Sequence, residues 1–284
     1  MADLKVAVPN KGALSEATVA LLKDAGYKCV RSGRELVVAD AENRIEFLFL
    51  RPRDIAVYVG KGIIELGITG RDLMLDSRAD VKEIMALNFG RSSFFYAVTK
   101  GSELTPDKLD GLRIATSYPN IVEDDLKKRG AKASIVRLDG AVEISIRLGV
   151  ADVIADVVES GGTLKEAGLE VTGEPLLKSE AVLIARTEAM AERPEIQTLL
   201  GRIRGIMVAR SWAMVEYDIP RTKLDLACKV TPGIEAPTIA PLSNPDWVAV
   251  KAMVKRATCN RIMDELYELG ARGIIVTDLR SCRL

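Results

Sequence analysis

The sequence predicts an α/β protein with a parallel sheet and a separate C-terminal module, on three observations. Between residues 112 and 158, β-branched runs and helical patterns alternate: strand 112–116, helix 121–129, strand 134–138, a helix after Asp139, then a strand through Asp156. Strand-like runs end in turns that combine glycine or proline with charged residues, at the strand ends where open α/β sheets put their ligands. From about residue 211 the order becomes βαββαβ, that of a ferredoxin-like or ACT-like module.

In chain order, residues 4–8 read as a strand, followed by Asn10-Lys11-Gly12 and a helix over 14–25 with Leu14, Ala17, Leu21 and Leu22 on one side. Strand, Lys-Gly turn and helix form a common anion-binding arrangement, against which Lys11 can be read as a solvated loop lysine. Two strands follow at 35–39 and 45–50, the second leading into Arg51-Pro52-Arg53. Pro52 opens a helix, so Arg51 and Arg53 flank a positive dipole end and suggest a polyphosphate ligand. Residues 66–69 form a buried-looking strand with Gly70-Arg71-Asp72 at its C-terminal end, where Asp72 either meets a ligand or caps the next helix. A strand over 93–99 leads toward a second lobe beginning near Lys100. Tyr118, in Ser117-Tyr118-Pro119-Asn120, stands at another strand-to-helix turn, as a base-stacking ring or a plain turn tyrosine.

The most informative stretch runs from Arg137 to Leu164. Residues 140–148 read as a short helix stopped by Gly149, and 150–158 as a strand broken only by Asp152 and Asp156, four apart and so on one face. Glu159-Ser160-Gly161-Gly162-Thr163 then supplies glycines that let backbone N–H groups converge on an anion, with two hydroxyls beside them. Each part alone is an ordinary turn or strand. In succession they set acceptors suited to ribose hydroxyls or Mg²⁺ beside donors suited to a phosphate. Strands at 170–176 and 180–185 and a helix over 194–209 complete this part, and the C-terminal module reads as strand 213–217, helix 221–230, strands 238–242 and 247–253, helix 259–269 and strand 273–277.

Composition narrows the class. The 284 residues carry 40 basic and 40 acidic side chains, a balance that argues against a general nucleic-acid or membrane-surface binder. Four scattered cysteines without a CxxC spacing, no signal peptide and no bilayer-length apolar run predict a cytoplasmic protein. The absence of histidine excludes Ser-His and Cys-His nucleophiles and His general bases, leaving carboxylates, cations and backbone dipoles.

The run Glu143, Gly149, Asp156, Ser160-Gly161 and Thr163-Leu164 resembles the signature of ATP phosphoribosyltransferase, the first enzyme of histidine biosynthesis. So do Val8-Pro9-Asn10-Lys11-Gly12, Leu50-Arg51-Pro52-Arg53-Asp54, Gly67-Ile68-Thr69-Gly70-Arg71-Asp72 and Thr231-Pro232-Gly233 with Ala236-Pro237-Thr238-Ile239-Ala240-Pro241-Leu242, the last as in the long form with its own regulatory domain. The resemblance implies a two-lobe type II periplasmic-binding-protein-like catalytic part, with lobe I at 1–99 and 178–210 and lobe II at 100–177, and an ACT-like regulatory domain at 211–284. It implies displacement of pyrophosphate from phosphoribosyl pyrophosphate by an adenine nitrogen of ATP, with Mg²⁺. Lys11, Arg51, Arg53 and Glu143 would be catalytic. Asp72, Tyr118, Asp152, Asp156, Ser160, Gly161, Gly162 and Thr163 would bind substrate. Asp218, Thr238 and Gly273 would bind inhibitory histidine in a homo-oligomer, dimer to hexamer. A small-molecule binding protein and a phosphoribosyltransferase for another base are the competing classes.

Overall fold

The computed structural model describes residues 4–158 and 161–284. Two compact units are present, one running to residue 23 and from 27 to 197, the other holding 24–26 and 198–284. In chain order the first unit opens with β1 (Leu4–Pro9), α1 (Gly12–Asp24), β2 (Val37–Asp40), β3 (Ile45–Leu50), α2 (Pro52–Gly60), β4 (Leu66–Gly70), α3 (Arg71–Ser77) and β5 (Lys82–Ala86). The chain then crosses to β6 (Ser92–Thr99), β7 (Arg113–Thr116), α4 (Pro119–Arg129), β8 (Ser134–Arg137), β9 (Val153–Val158), α5 (Gly162–Glu166) and β10 (Leu169–Ser179). It returns with β11 (Ala181–Ala185), α6 (Glu188–Ala191) and α7 (Pro194–Ser211), whose residues from 198 on cluster with the second unit.

Two sheets result, ordered β2-β3-β1-β4-β11-β5 and β10-β6-β9-β7-β8. Leaving out the edge hairpin strand β2, both follow one rule: the second parallel strand, the first, the third, an antiparallel strand supplied after a crossing, and the fourth. β11 is that antiparallel strand in the first sheet and β6 in the second. This doubled order is the type II periplasmic-binding-protein arrangement predicted for the catalytic part. The central strands are apolar runs covered on both faces, as parallel sheets require; every residue of β4 and β11 is buried.

Three local expectations need correction. β6 is a strand of the second sheet, so the crossing comes before Ser92 and not near Lys100. The helix read over 140–148 is a single 3-10 turn at Val142–Ile144. Gly140 at φ 152° and Ala141 at φ 48° enter it from outside helical space, and Val142, Ile144 and Ile146 alternate at period two, not 3.6. The strand read from 150 begins at Val153, because the N–H groups of Val150 and Ala151 are turned back onto the Ser145 carbonyl. Asp152 therefore lies one residue ahead of the strand.

The second unit contains β12 (Trp212–Pro220), α8 (Leu224–Val230), β13 (Thr238–Pro241), β14 (Trp247–Lys255), α9 (Cys259–Glu268) and β15 (Arg272–Asp278), in the antiparallel order β13-β14-β12-β15. That is the ferredoxin-like order. Burial alternates along β12, so Ala213, Val215, Tyr217 and Ile219 pack under α8 and α9 with Ala227, Ile262 and Leu266, while Trp212, Met214, Glu216 and Asp218 face the other way. Among the described residues no helix is long and apolar enough to cross a membrane.

Candidate active site

The C-terminal ends of β1 and β3 are tied by the Asn10 N–H, which donates to the Leu50 carbonyl at 2.9 Å. Lys11 and Arg51 therefore leave neighbouring parallel strands side by side, both exposed. Arg53 follows in the first turn of α2. Its Nη1 donates to Asp76 Oδ2 at 2.9 Å, and its guanidinium lies 5.0 Å from the centre of the Tyr118 ring. Lys11, Arg51 and Arg53 line one cavity of about 640 Å³ with Ser117, Arg137 and Asp139. Four cations from both lobes thus face a single space, with only Asp54 and Asp139 among its walls to offset them. The second Asn10 feature is unusual: its Oδ1 is buried without a hydrogen-bond partner among the described residues, beside this rim.

The second lobe presents different chemistry. Glu143, Asp156, Val157, Val158, Gly161, Thr163 and Leu164 line a cavity of about 300 Å³ at the end of β9. Gly161, at φ +73°, takes the left-handed conformation that glycine adopts without strain, and it caps the single turn of α5 at the wall of that space. Asp156 Oδ1 accepts the Val157 N–H at 2.8 Å. Burial raises the Asp156 pKa above the usual carboxylate range, and the charges of Glu143 and Asp72 raise it further, against that N–H bond and Arg53.

Asp72 and Tyr118 stand where the lobes meet. Asp72 is buried; Ser179 Oγ donates to its Oδ1 at 2.8 Å and accepts its N–H at 3.0 Å. A Cβ on Gly70 would lie 2.3 Å from the same Oδ1, so only glycine leaves the carboxylate that position. The Tyr118 ring packs edge-on to Phe94 at 5.2 Å, and burial together with the nearby Asp72 charge raises the pKa of its hydroxyl, which stays protonated.

The structure thus gathers Lys11, Arg51 and Arg53 in one cavity, Glu143, Asp156, Gly161 and Thr163 in the next, and Asp72 and Tyr118 between the lobes. Gly162 opens α5, and Ser160 lies outside the described residues. Asp152 is elsewhere: it accepts Arg113 Nη2 at 2.7 Å, Nε at 3.1 Å and N–H at 2.9 Å, ahead of β9 and so about 13 Å along the strand direction from Asp156. Arg113 holds its pKa below the usual carboxylate range. Sequence reading missed Arg137, although a cation at a strand end had singled out Arg51, and it missed Ser179 and Asp76, whose partners are distant in the chain. In the second unit, Asp218 and Thr238 occupy the sheet face turned away from the helices, with β14 between their strands. A Cβ on Gly273 would lie 3.9 Å from Asp218 Oδ2, so those two are neighbours.

Residues 51–205 match the ATP phosphoribosyltransferase family, and residues 209–281 match the family described as HisG, C-terminal domain. An ATP phosphoribosyltransferase of Salinibacter ruber is 55% identical over 99% of this chain and 100% of its own length. One from an Arthrobacter species is 53% identical over 99% and 100%. Among solved structures, the ATP phosphoribosyl transferase (HisG:HisZ) complex from Thermotoga maritima superposes with a TM-score of 0.62 at 26% identity, covering 71% of this chain and 96% of that one. The chain belongs to the ATP phosphoribosyltransferase family in its long form, pentosyltransferases of histidine biosynthesis.

Proposed function

We propose that the interlobe cleft joins ATP to phosphoribosyl pyrophosphate, with each lobe supplying one kind of chemistry. The observation that carries this is that the four-cation cavity and the Asp156–Gly161–Thr163 cavity lie within electrostatic reach of each other: Arg53, in the wall of the first, acts on the charge of Asp156, in the wall of the second. The loop N–H groups and the Thr163 hydroxyl hold the 5′-phosphate of the ribose, and Asp156 accepts from its hydroxyls. Lys11, Arg51 and Arg53 neutralise the charge that gathers on the departing pyrophosphate, where preorganised cations lower a barrier most. The attacking adenine nitrogen has a free lone pair at neutral pH, so a chain without histidine loses nothing at this step. Glu143, beside Asp156, supports the positive charge that develops on the ribose ring.

Mg²⁺ fits the donor set, which is of hard carboxylate oxygens, though no group of three Asp, Glu or Cys among the described residues is arranged to hold a metal. It would be held through the substrate phosphates and Asp156, and it supplies charge neutralisation on the pyrophosphate. The test is incubation with phosphoribosyl pyrophosphate, Mg²⁺ and either ATP or another base, followed by ultraviolet absorbance of the adenine. A change with ATP alone supports the assignment; a change only with another base overturns it.

The second unit is read as a histidine sensor. Asp218 offers a carboxylate to a cationic amino group, Gly273 leaves space beside it, and Thr238 offers a hydroxyl from the edge strand. Thr238 is two strand spacings, about 10 Å, from β12, which favours a ligand held between subunits of a homo-oligomer, dimer to hexamer. Asp218→Ala should relieve inhibition; full inhibition at the wild-type histidine concentration removes Asp218 from the site. Four free cysteines suit a reducing cytoplasm.

A further inference from the structure

The short helix α3 carries two buried acids one turn apart, Asp72 and Asp76, on its face toward the second lobe. Asp76 belongs to none of the motifs above, yet its side chain is 5% exposed and fully engaged. Its Oδ2 accepts Arg53 Nη1 at 2.9 Å. Its Oδ1 accepts the backbone N–H of Asn120 at 2.9 Å and of Ile121 at 3.3 Å, and its carbonyl accepts Asn120 Nδ2 at 2.6 Å. Helix α4 has no side-chain cap of its own; its N-cap residue is Tyr118 and Pro119 follows. The carboxylate that satisfies its first free N–H groups thus comes from the other lobe. One acid therefore fixes both partners of the Arg53–Tyr118 stack, Arg53 by ion pairing and Tyr118 by anchoring the helix that begins with it.

We propose that Asp76 is a positioning residue that holds Arg53 over Tyr118 across the lobe boundary, so that the cation waits at the polyphosphate cavity in its working orientation. This rests on the assignment of Arg53 to a substrate polyphosphate. Free of Asp76, the arginine side chain regains several rotamers, and ordering it again is charged against substrate binding.

The test is steady-state kinetics of Asp76→Asn beside Arg53→Gln, each with a thermal melt. Asparagine keeps an acceptor for the Asn120 N–H and removes the charge that orients Arg53. For the substrate whose KM rises in Arg53→Gln, Asp76→Asn should raise KM about tenfold and leave kcat within about threefold, a split that loss of folded protein does not produce. If Asp76→Asn fails to fold, Asn120→Ala, which removes only the amide bond to the Asp76 carbonyl, should raise the same KM about threefold. A KM within twofold of wild type in the folded variant overturns the proposal. Wild-type KM values for both substrates in Arg53→Gln would instead overturn the role of Arg53 itself.

Discussion

The two lobes have the same strand order and opposite chemistry. In the first, the strand ends carry Lys11, Arg51 and Arg53; in the second, the matching crest carries Glu143, Asp156 and a glycine loop. A repeated topology supplies two similar rims, and what distinguishes them is the side chain placed just past each strand. In the reaction proposed above, this arrangement would separate labour: one rim would neutralise the group that leaves, the other would hold the sugar from which it leaves. The second lobe makes the larger electrostatic sacrifice, since Asp156 is partly buried near two other acids.

Emptying the first rim should have the largest effect. Arg51→Leu with Arg53→Leu is expected to abolish polyphosphate binding in a titration while the thermal transition stays largely in place; unchanged affinity would assign those cations to solvent. Next come single changes on the second rim. Thr163→Ala and Asp156→Asn should each cost about two decades in kcat/KM, the usual effect of removing one group aimed at developing charge. Wild-type turnover in either would detach that lobe from the chemistry.

Asp156→Asn also sharpens the contrast through stability. Because the folded-state pKa of Asp156 is raised, the group favours folding below its unfolded value and loses that contribution as pH rises through the folded value. At pH 8 the variant should melt at or above the wild-type temperature despite its lost activity, and the difference should narrow toward pH 4. A variant that melts well below wild type at pH 8 contradicts the burial argument. The smallest effect belongs to Asp152→Asn. Its partner Arg113 is nearly half exposed, so the pair contributes little, and activity should stay near wild type with a slight drop in melting temperature. A hundredfold loss would return Asp152 to the site.

Much of the frame was legible because local pattern and final burial coincide. Residues 45–50 read as a strand and are one, since Ile45, Phe47 and Phe49 bury one face fully while the other face is half-buried. Pro52, Pro119 and Pro194 each open a helix, the first and last at the residue read from the sequence and the second two residues ahead of it. Legibility ended where tertiary partners decide. β5, whose residues are Lys82-Glu83-Ile84-Met85-Ala86, carries too little apolar pattern to announce itself and exists by pairing with β11, about a hundred residues on. Spacing alone aimed Asp152 and Asp156 one way, but Arg113 and the Ser145 turn pull the first out of the strand. Asp76 has no local signature at all, because its value lies in Asn120 and Arg53.

The place of β11 in the first sheet has a consequence for how the chain matures on the ribosome. β11 stands between β4 and β5, and among the described residues β5 pairs with no other strand, so the first sheet stays incomplete until residues 181–185 have emerged. Every strand of the second sheet lies between Ser92 and Ser179, and those two end residues are themselves paired. The later-made lobe can therefore close first, while the earlier-made one waits with β4 and β5 unjoined, its open edge the point at which a nascent chain is most exposed to a wrong partner.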